Sequence, residues 1–184
     1  RIAPTTDTAT FRSEESMRPL SFRHDVSEPV EIKTLLASQA FDIADDRATV
    51  VDGDRVVLII EDDPAFSTLL LGAARAHGFK GVVAFDGNYG LELAARYRPS
   101  AITLDLGLGA LDGWKVLDLL KHDRTLRHVP VQVISGGDGH RHRAFENGAV
   151  GYLAKPVDQA TLDEAMTALA AFVKLLMFQD IAQS

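Results

Sequence analysis

The residues of this chain with the clearest chemical potential are acidic, hydroxyl and amine side chains that directly follow short apolar runs. Glu61 and Asp62 come after RVVLII, Asp105 after AITL, Ser135 after VPVQVI and Lys155 after VGYLA. Carboxylates held together repel each other by about 4 kcal/mol per pair at about 4 Å and an effective dielectric constant near 20. Mg²⁺, a hard cation that prefers oxygen ligands, would offset this repulsion and still leave coordination positions for phosphate oxygens.

Asp105 is the candidate nucleophile of this group, because carboxylates form covalent phosphoryl intermediates. The Lys155 ammonium would pair with one phosphate oxygen as a point charge, and the Ser135 hydroxyl would donate to another. A nucleophile, a metal ion, an ammonium and a hydroxyl together make a site for phosphoryl transfer. Asp63 is predicted to cap the helix that follows it rather than to bind the metal.

These residues can meet only if the apolar runs are neighbouring strands of one sheet. Apolar runs alternate with helical segments along the chain, which predicts an α/β fold with a parallel sheet and helices on both faces. The expected strands are 55–60, 81–85, 101–104, 129–134 and 150–154, and the expected helices are 64–77, 89–97, 113–122, 140–147 and 158–180. Because crossovers are right-handed, few topologies remain, and we favour the flavodoxin-like, doubly wound five-stranded order 2-1-3-4-5. The site residues would then lie along one rim, at the crevice between strands 1 and 3.

Four segments resemble, in order and spacing, the receiver domains of response regulators: VLIIEDDPAF, AITLDLGLGALDGW, VPVQVIS and GAVGYLAKPV. The resemblance covers about residues 55–175. It implies a Mg²⁺-dependent reaction in which Asp105 accepts a phosphoryl group from a histidine kinase or a histidine phosphotransfer protein. It also implies a set of metal ligands, namely Glu61, Asp62, Asp105 and the backbone carbonyl of Gly107.

The same resemblance implies a conformational switch. Ser135 takes the position of the family's switch hydroxyl and Tyr152 that of its switch aromatic, so Ser135 is expected to move toward the phosphoryl group while Tyr152 packs inward. Gly109 stands where the family usually has proline, and Gly136 where it usually has alanine. Gly109 loosens a loop without removing any chemical group from the site. The segment from Ser135 to Lys155 is also about two residues shorter than is usual in the family, so the loop that moves on phosphorylation is expected to behave atypically. Trp114 is expected to pack against the domain.

Two other functional classes fit part of the pattern. A degenerate receiver would keep the fold and bind partners without phosphorylation, but the complete set of acidic, hydroxyl and amine residues argues against it. A haloacid-dehalogenase-like phosphatase also uses an aspartate at a strand end, with a second aspartate two residues later as general acid. Gly107 occupies that position here, so we expect a signalling domain and not an enzyme, with only self-catalysed phosphotransfer and slow autodephosphorylation.

The chain outside this unit is acidic at its start and helical at its end. Residues 1–54 hold 11 acidic and six basic side chains and are predicted to be a linker, with a possible short helix over 30–41. Residues 176–184 would extend the last helix as a linker helix or a self-association surface, which makes a homodimer possible. The chain starts with Arg1 and has no recognisable output segment, so we expect a receiver from a hybrid sensor histidine kinase, with its output domain in missing sequence or in a separate protein.

Composition excludes several classes of function. The chain has no cysteine, so it has no disulfides and no thiolate metal site. The net charge is −7 and there is no basic tract, which gives no reason to expect nucleic acid as a partner. No apolar run reaches the length that spans a membrane, and we expect a cytoplasmic protein.

Overall fold

The computed structural model describes residues 43–182. The possible helix over 30–41 therefore lies outside the described residues. Within them, five parallel strands form one sheet in the order β2-β1-β3-β4-β5, which confirms the predicted topology. The strands are β1 (Val56–Ile60), β2 (Lys80–Ala84), β3 (Ala101–Leu104), β4 (Val131–Gly136) and β5 (Gly151–Lys155). The helices are α1 (Pro64–Ala76), α2 (Gly87–Tyr97), α3 (Gly113–His122), α4 (Arg141–Glu146) and α5 (Gln159–Ala182).

Each face of the sheet is covered by its own apolar cluster. Successive residues of a strand point to opposite faces, so Leu58 and Ile60 enter one cluster while Val57 and Ile59 enter the other. Helices α2 and α3 cover the first face, and helices α1 and α5 cover the second. Among the α5 residues up to 179, whose burial is described, Val173 is the last in the buried core, and the residues from 174 to 179 lie past it. No helix in the described part of the chain combines the length and apolarity that crossing a membrane requires.

The segment just before β1 is held at the outer edge of β2. We call residues 43–49 the N-terminal strap. The N–H of Gly81 donates to Asp46 Oδ2 at 2.8 Å, and the Gly81 carbonyl accepts from the Asp46 N–H at 2.9 Å. The N–H of Val83 donates to Asp45 Oδ2 at 2.8 Å, and the Val83 carbonyl accepts from the Arg47 guanidinium at 2.9 Å.

The strap therefore satisfies backbone groups that an edge strand would otherwise present to solvent or to another strand. The side chain of Asp45 is 2% exposed because it lies between this edge and Arg47, with which it forms an ion pair at 2.7 Å. Ordered structure consequently begins before residue 55, where the sequence placed the start of the receiver unit. Acidic composition had indicated a solvated linker, yet in the strap the carboxylates serve as hydrogen-bond acceptors for a strand.

We predict that Asp46→Ala lowers the free energy of unfolding by about 1–2 kcal/mol at neutral pH, because it leaves the Gly81 N–H without its acceptor. Asp46 also accepts two hydrogen bonds from the Arg75 guanidinium, at 2.8 and 3.1 Å. Urea denaturation measures the change. Asp52→Ala, at an exposed position before β1, is the matched control and is expected to leave stability unchanged. Equal stability of the two variants would contradict the role of the strap.

The stabilisation by Asp46 is also expected to depend on pH. The hydrogen bonds from Arg75 lower the pKa of Asp46 below its ordinary value of 3.8, against the opposing effect of burial. A carboxyl group with a lower pKa in the folded state stabilises the fold above its unfolded pKa, and the stabilisation is lost as the pH falls through the folded pKa. The difference in stability between the wild type and Asp46→Ala should therefore narrow below about pH 4 in urea denaturation at stepped pH. A difference that stays constant on acidification would argue against this ion pair.

Candidate metal and phosphoryl site

Three carboxylates meet where β1 and β3 end. The N–H of Asp105 donates to the Ile60 carbonyl at 3.0 Å, and the N–H of Glu61 donates to the Ala84 carbonyl at 3.0 Å. The backbone hydrogen bonds of the sheet therefore continue for one residue beyond the strands and fix the backbone of the site. One carboxylate oxygen from each of Glu61, Asp62 and Asp105 lies within 4.8 Å of the others. This is the donor set that a hard divalent cation prefers, so the residues present fit a magnesium ion.

The ammonium of Lys155 joins two of these carboxylates. Lys155 is the last residue of β5, and its Nζ lies 2.8 Å from Glu61 Oε2 and 2.7 Å from Asp105 Oδ2. Glu61 is 1% exposed and Asp105 is 7% exposed, so both pairs are shielded from bulk water. The Nζ also lies 4.6 Å from the centre of the Phe66 ring, whose face attracts a cation. The Lys155 ammonium therefore offsets the negative charges of Glu61 and Asp105.

The pKa shifts in the site follow from burial and from this pairing. Burial raises the pKa of Glu61, and the hydrogen bond from Lys155 opposes that effect only in part. Burial disfavours the charged form of Lys155, but hydrogen bonds to Asp105 and Glu61 outweigh it, so the pKa of Lys155 is raised. Lys155 is therefore an ammonium ion at neutral pH and a donor to both carboxylates.

Backbone groups fix the other side of Asp105. The N–H of Gly107 donates to Asp105 Oδ1 at 2.8 Å, while Lys155 holds Oδ2. Helix α3 begins directly against this strand end, since a Cβ atom on Gly113 would lie 2.4 Å from the Asp105 carbonyl oxygen. Only glycine allows that approach. Asp63 does not join the carboxylates in the described structure, because its side chain accepts from Ala65 N at 2.8 Å and caps α1, as predicted.

The two residues with expected switch roles lie on β4 and β5. Ser135 is buried and pairs with Ala154 across the two strands, and its hydroxyl bonds to no other group in residues 43–182. Tyr152 is buried, with its ring in the core between the sheet and the helices α2 to α4. Its hydroxyl donates to the Gly137 carbonyl, and the Arg141 guanidinium lies 5.4 Å from its ring centre. The ring of Tyr152 is thus packed inward in this structure.

Sequence reasoning missed two contributors to the site. Phe66 was not singled out, although its place in the first turn of α1, directly after the acidic run, puts it on the rim below Lys155. Gly113 was predicted only as the first residue of the helix 113–122, whereas the structure gives it a steric role against Asp105. Neither contact can be seen in the spacing of residues, because both depend on how closely a helix approaches the sheet.

Comparison with known proteins agrees with this geometry. The family model for the response regulator receiver domain matches residues 57–167. The response regulator PleD of Caulobacter vibrioides is 36% identical over 118 residues, which are 63% of this chain and 26% of PleD. The polar-differentiation response regulator DivK of Brucella anthropi is 32% identical over 103 residues, which are 55% of this chain and 84% of DivK.

Solved structures lead to the same family. The receiver domain of the sensor histidine kinase PA1611 from Pseudomonas aeruginosa, solved with a magnesium ion in its active-site cleft, is 26% identical with a TM-score of 0.57. The match covers 65% of this chain and 99% of that one. A response regulator structure from Chloroflexus aurantiacus is 25% identical with a TM-score of 0.60, and the match covers 64% of this chain and 98% of that one.

The strand order, the acidic cluster beside Lys155 and the family match over residues 57–167 lead to one conclusion. The chain belongs to the response regulator receiver family.

Proposed function

We propose that this chain is a phosphorelay receiver in which Asp105 accepts a phosphoryl group from a phosphohistidine in a Mg²⁺-dependent reaction. The observation that carries the proposal is the contact of one ammonium, Lys155, with both Glu61 and Asp105 at the rim where three carboxylates converge. Receiver domains are signalling domains, so the expected chemistry is limited to phosphotransfer onto the chain and slow loss of the phosphoryl group by hydrolysis.

In the proposed reaction a carboxylate oxygen of Asp105 forms a bond to phosphorus as the P–N bond of the donor phosphohistidine breaks. The leaving imidazole keeps the electron pair of that bond. Glu61, Asp62, Asp105 and the Gly107 carbonyl would hold Mg²⁺, which supplies charge to balance the carboxylates and the phosphate oxygens. Lys155 would turn part of its hydrogen bonding from Asp105 to a phosphate oxygen, and the Ser135 hydroxyl would donate to another.

The proposed response is a population shift between two conformations. The phosphoryl group adds a charge of about −1.5 to −2 at the rim, and its contacts with Lys155 and Ser135 supply the energy of the shift. Ser135 would move toward the phosphoryl group, and this movement would stabilise the inward position that the Tyr152 ring takes in this structure. The inward ring and its hydrogen bond to Gly137 are compatible with the conformation that signals.

The proposed donor is a histidine kinase or a histidine phosphotransfer protein in the cytoplasm. This chain spans about a quarter of PleD, 26%, and 39% of the transcriptional activator PfeR, which is also 36% identical. We infer that the output lies in a further domain or in a separate protein, with the receiver of a hybrid sensor kinase as the preferred context. Nucleic acid and membrane are not expected partners of this unit.

Phosphorylation is tested with acetyl phosphate and Mg²⁺, followed by intact mass spectrometry. We expect the mass of one phosphoryl group to be gained by the wild type and by the control Asp52→Asn, and not by Asp105→Asn. EDTA should abolish the gain because the reaction depends on Mg²⁺. If neither acetyl phosphate nor a panel of phosphorylated histidine kinases modified the wild type, the chain would instead be an interaction module with the receiver fold.

Metal binding is tested separately by thermal unfolding. Mg²⁺ at about one hundred times its Kd should stabilise the fold by about 2.7 kcal/mol and raise Tm accordingly. Asp62→Asn should lose most of this increase, because the exposed Asp62 contributes a ligand to the cluster and little to the core. Asp52→Asn removes the same charge away from the cluster and should keep the increase. An equal Mg²⁺ response of the two variants would rule out the assigned ligand set.

The end of α5 is a second proposed interaction surface, through which two copies of the chain could pair. Past the buried Val173, several large side chains are exposed, among them Leu175 at 56% and Phe178 at 61%. We predict that the wild type sediments as a reversible dimer at high concentration and that Phe178→Glu sediments as a monomer. Ala160→Glu adds the same acidic group at an exposed position near the opposite end of the helix, far from these apolar residues, and is the control. A monomeric wild type at all concentrations would exclude the homodimer.

A further inference from the structure

Trp114 joins the start of α3 to the segment that leads from β4 into α4. We call residues 137–146 the switch segment. The guanidinium carbon of Arg143 lies 4.0 Å from the centre of the Trp114 ring, which is the distance of a cation–π contact. The ring of His140 meets the same indole edge-on, with ring centres 5.6 Å apart and an interplanar angle of 76°. The only tryptophan of the chain thus contacts two residues of the switch segment.

A second aromatic ring holds the switch segment from the side of β5. The Tyr152 hydroxyl donates to the Gly137 carbonyl, and the Arg141 guanidinium lies over the Tyr152 ring. Helix α4 has six residues, of which only Ala144 is buried. The contacts with the two rings therefore add to the packing of Ala144 in fixing the position of this segment.

Trp114 also directly follows a residue, Gly113, that packs against the backbone of the phosphoacceptor. The preceding residue, Gly113, packs against the carbonyl of Asp105, and the Asp112 side chain caps the helix by accepting from the Trp114 N–H at 3.1 Å. The start of α3 has no free space at Gly113, so we expect a displacement of the loop between Asp105 and α3 to move the indole with it. The indole is thus in a position to link the phosphoacceptor to the switch segment.

We propose that Trp114 and Arg143 form a latch that holds the switch segment in the arrangement in which Tyr152 lies inward, and that the latch thereby sets the population of the signalling conformation. The regulatory meaning rests on the proposed function, whereas the latch itself is a property of the fold. An exposed cation–π contact corresponds to about a two- to fivefold shift in a two-state equilibrium. A shift of that size matters when the two conformations differ by a small free energy.

The latch is tested by amide hydrogen exchange of the full chain. Arg143→Gln keeps a polar, unbranched side chain but removes the guanidinium and its charge, so the amides of the switch segment should exchange about two- to fivefold faster than in the wild type. Arg124→Gln changes an exposed arginine outside the switch segment and should exchange as the wild type does. Unchanged exchange of the switch segment in Arg143→Gln would overturn the proposal.

A double-mutant cycle separates the latch from a general structural role of Arg143. Trp114→Leu removes the ring, so in that background Arg143→Gln should have no further effect on exchange of the switch segment. An equal acceleration by Arg143→Gln with and without the indole would show that Arg143 acts through another contact, and would overturn the latch. Arg143→Lys keeps a cation near the ring and is expected to recover part of the protection.

The regulatory claim is tested by the initial rate of phosphorylation with acetyl phosphate and Mg²⁺. If the latched conformation accepts the phosphoryl group, Arg143→Gln should be phosphorylated more slowly than Arg124→Gln, by a factor of up to about five. Equal rates would overturn the regulatory claim. Failure of every variant, the wild type included, to incorporate a phosphoryl group would refute the proposed function instead, while the exchange measurements would still decide whether the latch exists.

Discussion

The ammonium of Lys155, shared between the buried carboxylates of Glu61 and Asp105, is the interaction on which the rest of the structure depends. Two carboxylates side by side in a shielded site repel each other strongly, and only a cation in direct contact offsets the repulsion. The ammonium performs that role from the end of β5, although the carboxylates follow β1 and β3. The sheet order has to bring these three strand ends to one rim, and a different order would leave the charges unbalanced.

The surrounding elements hold the rim in position. Glu61 donates its N–H to Ala84 at the end of β2, and the strap binds the preceding residue, Val83, from the outer side of the sheet. On the other side, Gly113 lets α3 begin against the peptide of Asp105. The site thus has two supports. On one side, the carboxylates of the strap bind the outer edge of β2, and on the other side the start of α3 packs directly against the Asp105 peptide. Trp114, the next residue after Gly113, connects the start of α3 to the switch segment through the proposed latch with Arg143.

The sequence predicted the fold and the residues of the acidic rim because both depend on local patterns. Apolar runs separated by helical segments define a parallel sheet, and the first residue after each strand lies at its carboxyl end, which predicted the neighbourhood of Glu61, Asp105 and Lys155. The strap was not predicted because amino-acid composition does not show whether a carboxylate faces water or accepts a hydrogen bond from the edge of a strand. The start of β4 was placed two residues early, since Val129 and Pro130 are apolar yet precede the strand.

The contacts of Phe66, Trp114 and Arg143 were beyond prediction for a related reason. Each depends on the distance between a helix and a neighbouring segment, which residue spacing does not specify. Trp114 was expected to pack against the domain, but nothing in the sequence paired it with Arg143, 29 positions further on. The hydrogen bond from the Ser135 hydroxyl to the phosphoryl group and the metal contact of the Gly107 carbonyl are proposals that come from the resemblance to the family.

The convergence of metal, phosphoryl group and Lys155 on Asp105 can be seen in a crystal structure of the chain with Mg²⁺ and beryllofluoride, an analogue of the phosphoryl group. We expect a metal ion in contact with oxygens of Glu61, Asp62 and Asp105, beryllofluoride on Asp105, and the Lys155 ammonium within hydrogen-bond distance of a fluorine. A structure in which both reagents are absent from this rim, with Lys155 still paired to Glu61 and Asp105, would refute the proposed site.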